Sequence, residues 1–368
     1  MALRLEVDER LVRLRTPLPT AWGTLEARTL FLVTLTGSDG VTGRGEAAPL
    51  QAYDGVSDDL CRAALGLLGE ALAELDDDAP GHVVMDTLAR TTDCGPALAA
   101  VDMALWDRGG RRLGRPVAGM LASDPLEAVA VHRTIGGVSP EQAEAEAREA
   151  ATDGFTAFKV KVGLRDGIAS GGPAPADLAG DLSRVAAVRR AAGAGARIKV
   201  DANGAWSVEE ATEAIARLTA APLRVAAVEE PVSGGEAWAQ LRAALTAAGI
   251  DVELSMDETA DREPGAVNRG PDVVEVKLAR TGGIGTMLVR ASLAQLSGTQ
   301  VAIASTFDGP IGIAAAVHAA AALRIERPLG LATLDALDLT EHPDLAELAE
   351  RLTPHDGAIP VPAGPGLL

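Results

Sequence analysis

Three carboxylates recur at equal intervals: Asp201, Glu229 and Asp257 lie 28 residues apart each time. Each ends a short apolar run (residues 197–201, 225–229 and 252–257), and an Ala-rich helical stretch separates one run from the next. A strand-plus-helix unit is about that long, so the three acids leave three adjacent strands at one height. Carboxylates that close do not all stay ionised without a cation. Their oxygen-only chemistry favours Mg²⁺. Lysines flank the trio. Lys159 and Lys161 end the run before it and Lys277 the run after it, so on a closed ring Lys161 and Lys277 face each other across the metal. Lys159 and Lys161 are two residues apart, which puts both on one side of their strand. A lysine in a dry site near other cations is expected to have a lowered pKa and to serve as a base, with Lys159 helping to depress Lys161. Such a set suits removal of a proton next to a carboxylate, with Mg²⁺ stabilising the resulting enediolate. Taken singly, a strand-end acid also serves as a helix N-cap.

The elements that must hold these residues follow from periodicity. Beyond about residue 126, apolar runs at 128–132, 157–162, 197–201, 225–229, 252–257, 273–277, 300–304 and about 329–334 alternate with amphipathic helical stretches. The predicted class is α/β, a (β/α)8-type barrel of modified TIM form over residues 126–339. Dinucleotide binding lacks its main support, because no G-x-G-x-x-G follows the first strand. Residues 1–125 read as an α+β capping domain, with a strand at 28–35 and helices at 58–75 and 95–109. The Pro/Gly-rich tail, 340–368, is expected to return to that domain. Residues 164–180 are expected to form a flexible loop.

Composition narrows the partners. The chain has 368 residues, 52 acids against 33 bases and a formal charge of −19, which opposes nucleic acid and anionic membrane surfaces. Two cysteines exclude a disulfide scaffold. The longest apolar run, 311–323, is too short to span a bilayer. A cytoplasmic enzyme acting on a small-molecule carboxylate is expected, and a homo-oligomer is compatible with the sequence. His82, His318, His342 and His355 lack ligand spacing and read as structural, and His132 as packed or solvated. Trp206 reads equally as core or as substrate-facing.

The set KVKVG, DANGAW, VEEP, MDE and VKLARTGGI, in that order, resembles the enolase superfamily, and within it the muconate-lactonizing-enzyme subgroup. The resemblance covers nearly the whole chain. It implies Asp201, Glu229 and Asp257 as Mg²⁺ ligands and Lys161 and Lys277 as the acid/base pair. Lys159, Asn203, Glu230 and Glu258 would support them. Trp22 and Tyr53 match the two loops that cap the substrate, and Phe307, Asp308 and Asp335 fall in segments that touch it. The subgroup holds cycloisomerases, dipeptide epimerases, N-succinylamino-acid racemases and o-succinylbenzoate synthases. Dipeptide epimerases carry an Asp-x-Asp pair near the eighth strand, where this chain has Thr333 and Asp335, which counts against a dipeptide. Ser305–Gly312 resembles the S-x-x-E-S-x-x-G segment of o-succinylbenzoate synthases, with Asp308 in place of Glu. The resemblance therefore implies synthase-like dehydration first. Racemisation or epimerisation is the next alternative, and muconate-type cycloisomerisation the third.

Overall fold

In the computed structural model, the described residues are 3–20, 23–163 and 177–368. Trp22 and most of the 164–180 segment lie outside them. The chain opens with an antiparallel sheet. Strand β1 (Arg4–Thr20) pairs with β2 (Gly23–Thr36), and β2 pairs with β3 (Thr42–Ala47). One face of this sheet packs on helices Asp58–Ala73, Gly81–Leu88 and Gly95–Leu113 through Phe31, Val33, Leu35, Leu65, Leu68 and Val101. The last of these helices lies hard against β3. A Cβ on Gly45 would sit 1.9 Å from the Ala100 carbonyl oxygen, so only glycine admits the helix there.

The barrel follows. Strand β4 (Ala128–Ala130) is short, and β5 (Arg133–Ile135) begins the parallel sheet. It continues through β6 (Ala157–Lys161), β7 (Arg197–Asp201), β8 (Ala227–Glu229), β9 (Glu253–Met256), β10 (Val273–Val276) and β11 (Gln300–Ile303), neighbours in chain order. The expected eighth strand is a two-residue bridge. Leu329 pairs with Val131 and Gly330 with Ala304, so the segment joins both edges and closes the ring. The expected first strand, 128–132, holds in part: β4 pairs with β13 (Ala358–Pro360) of the tail, Val131 carries the bridge to Leu329 that closes the ring, and β5 begins the longer parallel ladder. The tail thus divides. Strand β12 (Leu337–Asp338) extends the first sheet beside β1 and Leu345 packs under it, while Ile359 and Leu367 join the barrel core. Helices around the ring start on capping boxes at Ser139/Gln142 and Ser207/Glu210. Among the described residues no helix is long and apolar enough to cross a membrane; the apolar run becomes helix Pro310–Ala322, buried on nearly every side.

Buried acids of the first module dock onto barrel helices. Asp102 Oδ2 accepts from Ile284 N at 2.5 Å, at the start of helix Ile284–Leu296. Glu46 accepts from Gly309 N at 2.6 Å and Ile311 N at 3.3 Å, at the start of helix Pro310–Ala322. Unpaired helix N–H groups favour such acids. Burial, reinforced by Asp308, nonetheless pushes the Glu46 carboxyl from its ordinary 4.5 up to about 8. Folded protein therefore keeps a proton on Glu46 that the unfolded chain releases. Between about pH 4.5 and 8 the native state binds more protons, so this group makes stability fall as pH rises. Glu46→Gln is expected to flatten that slope in urea denaturation curves measured across the window; an unchanged slope would contradict the assignment.

Candidate active site

A cavity of about 790 Å³ opens at the C-terminal mouth of the ring, lined from the barrel by Lys161, Asp201, Asp257 and Lys277 and from the first module by Leu50 and Tyr53. Strand register brings the inner residues together. Lys161, Asp201 and Glu229 lie in one row across β6, β7 and β8. Asp257 and Lys277 immediately follow β9 and β10.

Lys159 and Lys161 both point inward, as their spacing predicts. Lys159 Nζ lies 2.8 Å from Asp201 Oδ2 and 2.6 Å from Glu229 Oε1. Lys161 Nζ lies 2.6 Å from the same Asp201 oxygen and 2.8 Å from Asn203 Oδ1. On the far side Lys277 bonds both oxygens of Asp257, Oδ2 at 2.5 Å, and the Tyr53 hydroxyl. The two lysines thus flank the acids, with separate partners. The capping alternative fails for Asp257: it stands at the N-cap of helix Glu258–Arg262 without a side-chain bond to that helix.

The acids hold Lys277 and Lys159 in their charged forms. Burial opposes the charge of Lys277, but Asp257, Glu258 and Asp261 outweigh it and raise its pKa. Lys159 is also raised: burial opposes its charge, and Asp201 and Glu229 outweigh it. In this arrangement Lys159, Lys161 and Lys277 are counter-ions to the acids. Burial alone would push Glu229 up, yet Lys159, Lys199 and Lys161 hold it well below the ordinary range.

Supporting residues fall into two groups. Asn203 holds Lys161 through its oxygen and donates through Nδ2 to Glu258 Oε1 at 2.8 Å, from a left-handed backbone at φ 46°. Such strain in a non-glycine residue persists where its surroundings hold it, commonly at functional sites. Glu230, also left-handed, turns away from the cavity and accepts from Asp257 N and Thr259 N at 2.8 Å each, bracing the turn that carries Asp257. Burial and then Glu258 push its carboxyl up to about 9.

Two charged residues escaped the sequence reading. Lys199 Nζ lies 2.5 Å from Glu229 Oε2 and 2.5 Å from Glu275, which also accepts from Ser255 Oγ at 2.6 Å. The signal was available: Lys199 precedes Asp201 by two and Glu275 precedes Lys277 by two, so alternation places them one layer deeper on the same inner face.

Other calls divide. Phe307 lines the cavity with φ 60°. Asp308 does not. It is buried behind the loop, accepts from Thr306 Oγ1 at 3.1 Å, and faces Arg28. Asp335 is half exposed, pairs with Arg133 and is not a lining residue; Thr333 lines the cavity in its stead. Trp206 is buried core. His318 is structural as expected: its Nδ1 accepts from Ala118 N at 3.0 Å and its Nε2 donates to Leu367 O at 2.9 Å. His132 is packed, with Nδ1 lacking a partner, and burial, then Lys199 and Lys159, lower its pKa to about 3.

The donor set fits a hard divalent cation. All candidate ligands are carboxylate oxygens, and Glu258 Oε2 is buried beside them without a hydrogen-bond partner. Among the described residues, three acidic oxygens come within 4.8 Å of one another only at Asp76, Asp77 and Asp78.

Residues 3–122 match the mandelate racemase/muconate lactonizing enzyme N-terminal domain, and residues 142–367 match the enolase C-terminal domain-like family. The chain is 30% identical over 334 residues to L-Ala-D/L-Glu epimerase of Bacillus subtilis (strain 168), covering 88% of this chain and 85% of that one. To o-succinylbenzoate synthase of Thermobifida fusca (strain YX) it is 34% identical over 240 residues, 64% of this chain and 67% of that one. Among solved structures, the dipeptide epimerase from Methylococcus capsulatus complexed with Mg and dipeptide L-Arg-D-Lys superposes with a TM-score of 0.82 at 26% identity, covering 100% of this chain and 99% of that one.

Proposed function

The chain belongs to the enolase superfamily, with the N- and C-terminal domains of its mandelate racemase/muconate lactonizing enzyme branch, and from that premise we propose that it is an Mg²⁺-dependent racemase or epimerase of N-acylated amino acids, dipeptides included. The observation that carries this reading is the placement of Lys161 and Lys277 on opposite sides of the acids, each with its own partners. Inverting a carbon next to a carboxylate needs one proton acceptor and one proton donor on opposite faces.

Asp201, Glu229 and Asp257 would hold Mg²⁺, which when bound supplies positive charge where the substrate carboxylate gains electron density. The remaining steps belong to the chain. Lys161 takes the α-proton at Nζ from one face, held in line by Asn203. Lys277 returns a proton at Nζ on the other face, held by Asp257 and Tyr53. Lys159 and Lys199 balance the charge of Asp201 and Glu229. Capping residues Leu50 and Tyr53 exclude water above the reacting carbon. The units are proposed as 1–125 for capping and 126–339 for catalysis, with the return 340–368 giving Leu345 to the first and Ile359 and Leu367 to the second, and the cytoplasm as the location.

A second reading, o-succinylbenzoate synthase-like dehydration, is favoured by the Thermobifida relative and by the Ser305–Gly312 segment. In it Lys161 removes the proton and then assists loss of the hydroxyl on the same face, while Lys277 stays cationic and stabilises the intermediate. The two separate in one experiment. Protein with Mg²⁺ is given single-enantiomer dipeptides, single-enantiomer N-succinylamino acids or the synthase substrate. Chiral chromatography is expected to show inversion of an N-acylated amino acid. Product absorbance from the synthase substrate, with no inversion anywhere, would replace the first reading by the second.

A further inference from the structure

We propose that Tyr53 is a positioning residue for Lys277, by which the first module sets one of the two lysines and leaves the other to the barrel. The hydroxyl of Tyr53 donates to Asp257 Oδ1 at 3.0 Å and accepts from Lys277 Nζ. Lys277 Nζ also lies 4.3 Å from the centroid of the Tyr53 ring, and the Arg280 guanidinium lies 4.9 Å from it. Tyr53 thus meets the ammonium through its hydroxyl oxygen, in a charge-assisted bond that also ties in Asp257.

The segment that presents Tyr53 is itself tied down. Asp54 accepts from Leu50 N at 3.0 Å and from Val56 N at 2.8 Å, so both flanks of the turn hang on one carboxylate. Gly55, at φ 74°, closes it. Lys161 offers a contrast. Its bonded side chains, Asp201 and Asn203, both come from the barrel. Among the described residues the first module therefore bonds one of the two lysines, Lys277.

The consequence rests on the proposed two-face proton transfer. Tyr53→Phe keeps the ring and its contact with both cations but deletes the oxygen. Removing a hydrogen bond to a charged group costs about ten- to a hundredfold. Deuterium uptake at the α-carbon, measured in D₂O with each enantiomer separately, is expected to fall by about that factor for the enantiomer whose proton meets Lys277. It is expected to change less than about twofold for the other enantiomer, as no bond to Lys161 is lost. Lys277→Met identifies which enantiomer is which. Equal slowing of both, or of neither, overturns the proposal.

A second readout does not depend on the reaction. Tyr53 is the single tyrosine of the chain, so protein labelled with ¹³C at the tyrosine Cζ gives one resonance. Lys277→Met is expected to shift that resonance, and Lys161→Met to leave it in place. An unmoved resonance in Lys277→Met overturns the positioning role even where the protein inverts nothing. A shifted resonance with no α-exchange in any substrate overturns the functional reading instead.

Discussion

Lys161→Ala and Lys277→Ala are each expected to cut turnover by about 10²–10⁴-fold, the range that a positioned acid/base group supplies. The loss is expected with either enantiomer, because inversion needs both faces. Exchange is a different matter. Lys161 is held by Asp201 and Asn203, and Lys277 by Asp257 and Tyr53, so removing one lysine leaves the other in its own bonds. Each variant should therefore retain α-deuterium exchange with one enantiomer, the opposite one in each case, while inverting neither. Steady-state turnover and mass-spectrometric exchange check both parts. A Lys161→Ala protein that keeps full turnover would contradict the acid/base assignment. Under the dehydration reading the pattern changes, since Lys277→Arg preserves the positive charge and would leave most of the rate.

Glu229→Gln is expected to damage both metal affinity and folding. Glu229 is 1% exposed and sits between Lys159 and Lys199, so solvent does not screen either pair. Neutralising it removes one of three proposed Mg²⁺ ligands and leaves two buried lysines short of a counter-charge. Breaking a buried pair from one side costs about 3–5 kcal/mol. Urea denaturation should register that loss, and calorimetric titration with Mg²⁺ should show little or no binding. Adding Lys159→Met removes one stranded charge, so stability is expected to recover in part while Mg²⁺ binding stays lost. A Glu229→Gln protein as stable as the parent would contradict the charge network drawn across β6, β7 and β8.

What the sequence made legible was the part governed by alternation along parallel strands. Lys159, Lys161, Asp201 and Glu229 point inward because each precedes or follows a buried apolar partner by one, and that parity survives errors of strand length. Lys199 and Glu275 obey the same parity and went unread, because a charged residue below the rim looks like surface unless its partner across the ring is known. Strand β1 was missed because exposed Glu6, Asp8 and Glu9 interrupt its apolar pattern. The split of the first strand was not legible because the pairing of β4 with β13 is set by a tail more than 200 residues away. Asp308 and Asp335 lie in the right segments, yet burial toward Arg28 and the ion pair with Arg133 turn them elsewhere. Segment resemblance carries no information on such rotations. The bond from Tyr53 to Lys277 spans 224 positions and joins two modules, so no local pattern announces it.

Lysine-mediated, Mg²⁺-dependent removal of a proton next to a carboxylate underlies every step proposed above. It is tested most directly by incubating the protein in D₂O with an N-acylated amino acid or dipeptide, with Mg²⁺ and again with excess chelator. Deuterium is followed at the α-carbon. The expected result is exchange from both enantiomers with Mg²⁺, its loss with chelator and its return when Mg²⁺ is restored. Exchange that proceeds equally well in chelator would contradict the account.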